Sequence, residues 1–140
     1  MNRAHPAAVI VAGIVFWVIQ AGWYTAFKDA YIAALQWSPE RVAAAQNGSP
    51  VPYITSLLAN MLIAYVIALV TLRSGAPSAM RGVIVAIVLW AGVLMTMLTS
   101  MYSFEQRPFP LLCINGGAAL LGMLASGAIV GAWTRKAPAA

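Results

Sequence analysis

The chain has 140 residues, of which 62% are hydrophobic and only 8% are charged. Its mean hydropathy of +0.84 sets it apart from soluble domains, which are roughly half apolar and a quarter charged. The formal net charge of +5 comes from basic residues that form no cluster, so we expect no nucleic-acid partner. This composition predicts a membrane protein, and the short length predicts one domain, residues 1–140.

Four long apolar runs follow one another along the chain. Crossing about 30 Å of hydrocarbon takes roughly 20 helical residues, and each run is of that length. The first run begins after a basic start, as a secretory signal does, but it is too long for one and has no small-residue cleavage site. We therefore predict an all-α fold, a four-helix transmembrane bundle. Its spans are residues 6–27, 53–72, 82–102 and 109–133.

The first loop, residues 28–52, carries signals for two short helices. The apolar stripe of the first span continues past its end as far as Leu35, which predicts a helical extension along the interface. Ser38 followed by Pro39 is typical of a helix start, and an Asn-Gly pair nine residues later is typical of a helix end. The sequence therefore predicts a short amphipathic surface helix over residues 39–46.

The basic residues are distributed unequally between the two membrane faces. With four spans, the two termini and the second loop share one face. That face carries Arg3, Arg73, Arg81, Arg135 and Lys136. The other face carries three basic residues and all three acidic residues of the chain. Because cytoplasmic loops are enriched in Lys and Arg, we expect both termini to lie in the cytoplasm.

Uncharged polar side chains recur at one depth in the spans. Gln20, Asn60, Thr96 and Asn115 each lie six or seven residues from an outer span end, which is about 9 to 11 Å along a helix. One interpretation is an interhelical hydrogen-bond clamp, at about 0.6 to 2 kcal/mol per pair. The other is a polar pocket that opens outward and holds a lipid headgroup or a small polar solute. Its candidate lining residues are Gln20, Asn60, Thr96, Thr99 and Asn115.

Aromatic and charged residues gather at the outer span ends. Aromatic rings at the headgroup level are ordinary membrane anchors, but Arg flanked by aromatic residues is also typical of a binding hot spot. Glu105 and Arg107 fit either an exposed ion pair, worth at most about 1 kcal/mol, or a docking site. The candidates for an outer rim that docks a partner are Trp23, Tyr24, Asp29, Tyr53, Glu105 and Arg107.

Small residues at four-residue spacing predict where the helices approach each other closely. The candidate packing residues are Ala64, Gly92, Gly122, Ser126, Gly127 and Gly131. Gly127 and Gly131 form a separate face of the fourth span, which fits equally a contact within the chain or a contact with a second protomer.

No charged residue or histidine lies well within a span, and this limits the chemistry that the sequence supports. Proton relays and charge-gated ion paths normally need such groups. The one histidine, His5, lies at a span margin, so we expect no metal site, no haem and no other cofactor. The single cysteine, Cys113, excludes an internal disulfide. We expect no catalytic residues and no enzymatic activity.

Several short landmarks resemble a bacterial family catalogued as domain of unknown function 1761 (DUF1761). They are Gly-Trp-Tyr at 22–24, Pro-Tyr at 52–53, Trp90 with Gly92, and FEQRPFPLLCINGG at 104–117. The last stretch is the most specific, and the resemblance extends over nearly the whole chain. It implies a small four-helix integral membrane protein, a multi-pass protein of the bacterial inner membrane, with no established activity.

Three classes of function fit these observations. The first is a structural or accessory membrane subunit that packs with itself, as a homo-oligomer, or with a partner membrane protein. The second is a carrier or binder of a lipid or small polar solute that uses the polar layer. The third is a membrane enzyme, for which two titrating groups in contact would be required. We expect the first class, a structural or accessory subunit. Its partners would be membrane lipids and either copies of itself or another membrane protein.

Overall fold

The computed structural model describes residues 4–133, and within them every regular element is a helix. In chain order the elements are α1 (Pro6–Ala26), α2 (Lys28–Leu35), α3 (Pro39–Gln46), α4 (Val51–Arg73), α5 (Ala79–Leu89), a π-helical segment (Trp90–Met95), α6 (Thr96–Phe104) and α7 (Phe109–Trp133). Four helical stretches are long and apolar enough to cross a membrane: α1, α4, the continuous α5–π–α6 stretch and α7. The all-α four-helix prediction is confirmed, but the π-helical segment was not predicted.

The first outer loop folds as its sequence indicates. Helix α2 continues directly from α1, and α3 occupies the predicted residues. The Ser38 hydroxyl accepts a hydrogen bond from the Arg41 backbone N–H at 3.3 Å, which satisfies one of the donors left open at a helix start. The Arg41 guanidinium lies 4.5 Å from the centre of the Trp37 ring, so this cation stacks on the ring just before the helix.

Helix α7 is the centre of the bundle. It contacts α1, α4 and α5. In its most apolar 18-residue stretch, 50% of the residues are buried, compared with 17% in the most apolar stretch of α5–π–α6. Glycines make this position possible. A Cβ on Gly127 would collide with the Gly82 carbonyl of α5, and a Cβ on Gly131 would collide with the Ser78 carbonyl. The face formed by Gly127 and Gly131 therefore packs inside the chain.

The other predicted packing residues divide into three that pack and one that does not. Ala64 is fully buried, and Ser126 donates a hydrogen bond from its hydroxyl to the Ala12 carbonyl at 3.1 Å. Gly122 lies against the Phe16 ring. The prediction for Gly92 is wrong: the residue is exposed, and nothing lies within 4 Å of a Cβ built there. Trp90 and Met95, at the two ends of the π-helical segment, reach α7 instead.

Within residues 4–133, the buried interior contains a cluster of apolar side chains, most of them small or branched, drawn from all four spans. It comprises Ala12, Phe16, Ala64, Ile67, Ala68, Val85, Ala86, Met123 and Val130.

The turn between the third and fourth spans explains the unusual FEQRP sequence. Gln106 adopts a left-handed backbone conformation with φ of 53°. The Arg107 N–H then donates to the Tyr102 carbonyl at 2.9 Å, and the Gln106 N–H donates to the Ser103 carbonyl at 3.3 Å. These two bonds form a Schellman motif, which satisfies the carbonyls at the end of α6. Pro108 follows and prevents the helix from continuing.

The start of α1 and the end of α7 lie at the same end of the bundle. The ring centroids of His5 and Trp133 are 6.2 Å apart. The contact between Gly131 and Ser78 places the start of α5 at this end as well. We call it the terminal end, and we call the opposite end, which carries α2 and α3, the capped end. Arg3, Arg135 and Lys136, which contribute to the predicted orientation, lie outside the described residues.

Candidate functional site

Two tryptophans from different spans bond to the same short stretch of α7. The Trp23 indole N–H donates to the Ile114 carbonyl at 3.0 Å. The Trp90 indole N–H donates to the Gly116 carbonyl at 2.8 Å. Because an indole N–H in apolar surroundings needs an acceptor, these bonds fix the rotation of α7 relative to α1 and to the third span.

Asn115 lies between those two carbonyls and is held on both sides by phenols. The Tyr24 O–H donates to the Asn115 side-chain oxygen at 2.6 Å. The Asn115 side-chain N–H donates to the Tyr102 oxygen, also at 2.6 Å. The amide thereby connects α1, α6 and α7 in one hydrogen-bond chain. We call Trp23, Tyr24, Trp90 and Tyr102, arranged around residues 114–117, the aromatic clamp.

The two glycines that follow Asn115 make space for the aromatic clamp. A Cβ on Gly117 would lie 2.7 Å from a carbon of the Trp23 ring. A Cβ on Gly116 would lie 2.7 Å from the Met95 sulfur, in the π-helical segment. Both distances are far shorter than a normal van der Waals contact. The Asn-Gly-Gly sequence thus combines one polar group with two positions where neighbouring side chains approach the α7 backbone.

Two further rings cover the aromatic clamp at the capped end. The Tyr31 ring of α2 meets the Tyr24 ring edge-on, with centroids 5.0 Å apart. The Phe27 ring lies 4.6 Å from the Trp23 ring. Burial raises the pKa of the Tyr31 phenol above its usual value, and the Tyr102 phenol adds to the rise. Tyr31 therefore stays protonated and neutral at physiological pH.

The predicted polar layer divides into two separate groups, with two residues outside both. Asn60, which is only 4% exposed, donates from its side-chain N–H to the Gln20 side-chain oxygen at 2.7 Å. Asn115 bonds instead to Tyr24 and Tyr102 of the aromatic clamp. Thr96 and Thr99 are exposed and do not join the other three residues.

The Thr96 hydroxyl instead bonds to the Gly92 and Val93 carbonyls of its own helix, each at 2.9 Å. Such back-bonding satisfies a hydroxyl that faces away from the other helices. Within residues 4–133, every buried side-chain nitrogen or oxygen atom has a hydrogen-bond partner. Of the two interpretations of the polar layer, this geometry favours hydrogen bonds between helices over an open polar pocket.

The residues predicted for the outer rim fall into two groups: some bond inside the bundle, and the others lie on the surface. Trp23 and Tyr24 use their polar atoms inside the bundle, because the carbonyl of Ile114 and the amide of Asn115 lie within their reach. The remaining candidates are on the surface. Asp29 and Tyr53 are exposed, and the Arg107 Nε lies 2.9 Å from a Glu105 carboxylate oxygen.

No ion pair within the described residues joins the Glu105–Arg107 pair to Lys28 or Asp29. In the same part of the chain, no three His, Cys, Asp or Glu side chains are grouped to hold a metal ion. The Cys113 thiol is exposed on α7.

In the sequence, Trp90 is only a landmark of the family resemblance, and Tyr102 is only the last residue of the third predicted span. A usable signal existed for Trp90, since an indole in the middle of a span has no water to accept its N–H and must find an acceptor in the protein. Tyr102 gave no such signal, because a phenol near a span end is equally well placed at the headgroups.

One of three comparisons with known proteins found a match, and it covers nearly the whole chain. A search of curated proteins and a search of solved structures each found no match. The family model described as "Protein of unknown function (DUF1761)" matches residues 7–131, which is nearly the whole chain. That range includes every residue of the aromatic clamp and the turn before α7. The chain belongs to the DUF1761 family.

Proposed function

We propose that this protein is a structural or accessory subunit of the bacterial inner membrane that packs with itself or with a larger membrane complex. The observation that carries the proposal is the exposed turn between α6 and α7. Phe104 is 89% exposed and Phe109 is 73% exposed, and the Glu105–Arg107 ion pair lies between them in the sequence. Arg with flanking aromatic side chains is typical of the residues that dominate protein–protein binding.

An ordinary membrane anchor explains these two phenylalanines poorly. Interfacial belts favour Trp and Tyr, because those rings combine an apolar body with a polar group that bonds to water or headgroups. Phe has no such group. A partner that covers Phe104 and Phe109 buries both exposed rings and desolvates the neighbouring ion pair.

The interior supports the same proposal. The Gln20–Asn60 pair and the amide of Asn115 are engaged in bonds between helices. A catalytic or transport site needs polar groups that change partners during the reaction or during passage of a solute. Here those groups hold the bundle together, which is the behaviour of a scaffold.

The experiment is to extract the protein from its native membrane in a mild detergent and to measure the intact mass by native mass spectrometry. We expect a reproducible assembly larger than the monomer. Phe104→Ala removes a ring from the proposed docking surface and is expected to weaken assembly by about 30-fold or more, the size of a hot-spot truncation. Tyr65→Ala is the matched control, because Tyr65 is an exposed aromatic residue on α4, away from the turn.

A monomer in the native extract would contradict the proposal. So would an assembly that tolerates Phe104→Ala as well as it tolerates Tyr65→Ala. A monomer that retains a small polar solute would instead support the binder interpretation of the polar layer.

A further inference from the structure

Two phenol hydroxyls at the capped end have hydrogens for which the described chain offers no acceptor. The Tyr102 oxygen receives a hydrogen bond from the Asn115 side chain at 2.6 Å, but within residues 4–133 no acceptor takes its own hydrogen. The Tyr31 hydroxyl forms no hydrogen bond with that part of the chain, although its ring packs against Tyr24. Both side chains are partly buried, and a hydroxyl withdrawn from water costs free energy until it has a partner.

The Tyr24 side chain joins these two hydroxyls into one group. Its ring meets the Tyr31 ring with centroids 5.0 Å apart, and its hydroxyl shares the Asn115 amide with Tyr102. Burial raises the pKa of Tyr31, and the Tyr102 phenol raises it further, which places the two phenols near each other. One donor from α2 and one from α6 therefore lie in the same small region.

Lys28 adds a positive charge to this region. Helix α2 continues from α1, and Lys28 lies four residues after Tyr24 and three before Tyr31. Residues at these spacings lie on one face of a helix. The Lys28 ammonium is exposed and forms no ion pair within residues 4–133. Asp29 is turned by about 100° from Lys28, away from Tyr31. This helix face therefore combines a cation with hydrogen-bond donors.

The position of these residues in the membrane supplies the matching chemical group. Tyr102 lies two residues before the end of α6, and Lys28 is the first residue of α2, just after the first span. Both therefore lie at the headgroup level of one leaflet. Phosphate is the anionic acceptor that phospholipids carry at this level. Hydrogen bonds to such an ionised acceptor are roughly twice as strong as bonds between neutral groups.

We propose that Lys28, Tyr31 and Tyr102 bind the phosphate group of a phospholipid in the leaflet at the capped end. The two hydroxyls donate to phosphate oxygens, and the Lys28 ammonium neutralises the negative charge. Asn115 holds Tyr102 from inside the bundle by donating to its oxygen, which leaves the Tyr102 hydrogen for the phosphate. The site does not include the turn between α6 and α7, and it does not depend on the assembly proposed above.

The test uses the purified full-length protein in a maltoside detergent, which carries no phosphate. The probes are phosphatidylglycerol and diacylglycerol with identical acyl chains, and native mass spectrometry measures how much of each the protein retains. We expect phosphatidylglycerol to be retained at least about tenfold better, because a hydrogen bond to a charged group changes affinity by about that factor or more.

A competition experiment identifies the source of the phosphate. Excess inorganic phosphate is added, at constant ionic strength, to protein loaded with phosphatidylglycerol. We expect the lipid to stay bound, because its acyl chains remain against the apolar surface of the bundle. Displacement of the lipid by inorganic phosphate would overturn the assignment to a phospholipid.

Two substitutions test the named side chains. Tyr31→Phe removes a hydroxyl but keeps the ring, and we expect it to reduce retention of phosphatidylglycerol about tenfold. Tyr53→Phe is the matched control, because Tyr53 is exposed near the start of α4 at the same end. Lys28→Gln is expected to reduce retention about fivefold, and Arg41→Gln, on exposed α3, is its charge-matched control.

Equal retention of phosphatidylglycerol and diacylglycerol by the unmodified protein would overturn the proposal. So would a Tyr31→Phe variant that retains phosphatidylglycerol as well as the Tyr53→Phe variant does. Because Lys28 is on the surface, Lys28→Gln tests the site even if Tyr31→Phe fails to fold, and retention equal to that of Arg41→Gln would contradict the proposed contact.

Discussion

At the scale of single residues, one amide organises the candidate site. Asn115 accepts from Tyr24 and donates to Tyr102, so one side chain links three helices. Hydrogen bonds between membrane helices contribute about 0.6 to 1.7 kcal/mol each in measured cases. An unpaired amide has no water to turn to in the bilayer core. Asn115 therefore differs from Thr96, which has the same predicted depth but bonds only to its own helix.

This difference is measurable as a change in the free energy of unfolding. Asn115→Ala removes two interhelical bonds and leaves two phenols without their partner, so we expect a loss of about 1 to 3 kcal/mol. Thr96→Ala is the control, with an expected change within about 0.5 kcal/mol. Reversible unfolding in mixed micelles gives both values. Equal effects of the two substitutions would show that Asn115 does not link the helices as described.

At the scale of elements, the glycines of α7 decide which helix becomes the core. Gly127 lies so close to Gly82 that neither position accepts a side chain. Without hydrophobic attraction between helices in lipid, close backbone contact of this kind supplies much of the association energy. The third span has a comparable run of small residues through Gly92, but that run is exposed. Spacing of small residues therefore identifies faces that permit packing, and the surrounding helices determine which of them are used.

A matched pair of glycine substitutions tests this assignment. Gly127→Ala places a methyl group against the α5 backbone, and overpacking of this kind costs about 1 to 3 kcal/mol or forces α5 to move. Gly92→Ala meets open space and is expected to be neutral or to stabilise by up to about 1 kcal/mol, because alanine restricts the unfolded chain more than glycine does. The measurement is the free energy of unfolding in micelles. A destabilising Gly92→Ala would indicate that a partner covers this face.

At the scale of the whole molecule, charge and geometry support one orientation. The His5–Trp133 contact places the start of α1 and the end of α7 together. The predicted topology assigns five basic residues to the terminal end. It assigns three basic residues and all three acidic residues to the capped end. We expect the terminal end to be cytoplasmic because positively charged loops are retained on that side.

Cysteine accessibility tests the orientation directly. In a Cys113→Ser background, Ala45→Cys lies on exposed α3 and Ala76→Cys lies in the exposed loop between α4 and α5. In spheroplasts, a membrane-impermeant thiol reagent is expected to label the first variant and to label the second only after permeabilisation. The reverse pattern would place the termini outside.

The sequence by itself determined the number of membrane helices, their bounds to within three residues, and the short helix α3. These features depend on local rules, namely the length of an apolar run and the residues that begin and end helices, which act through neighbours in the chain. The sequence also distinguished Asn115, as a polar residue deep in a span, and Trp23 and Trp90, as landmarks of the family resemblance.

The tertiary structure alone decided the partners of those residues. The Trp90–Gly116 bond, the division of the polar layer and the exposure of Gly92 all depend on how each helix is rotated about its axis. Apolar periodicity fixes that rotation in a soluble protein, because one face must avoid water. In a membrane helix both the lipid face and the core face are apolar, so the periodic signal is lost and close contacts with α7 set the rotation instead.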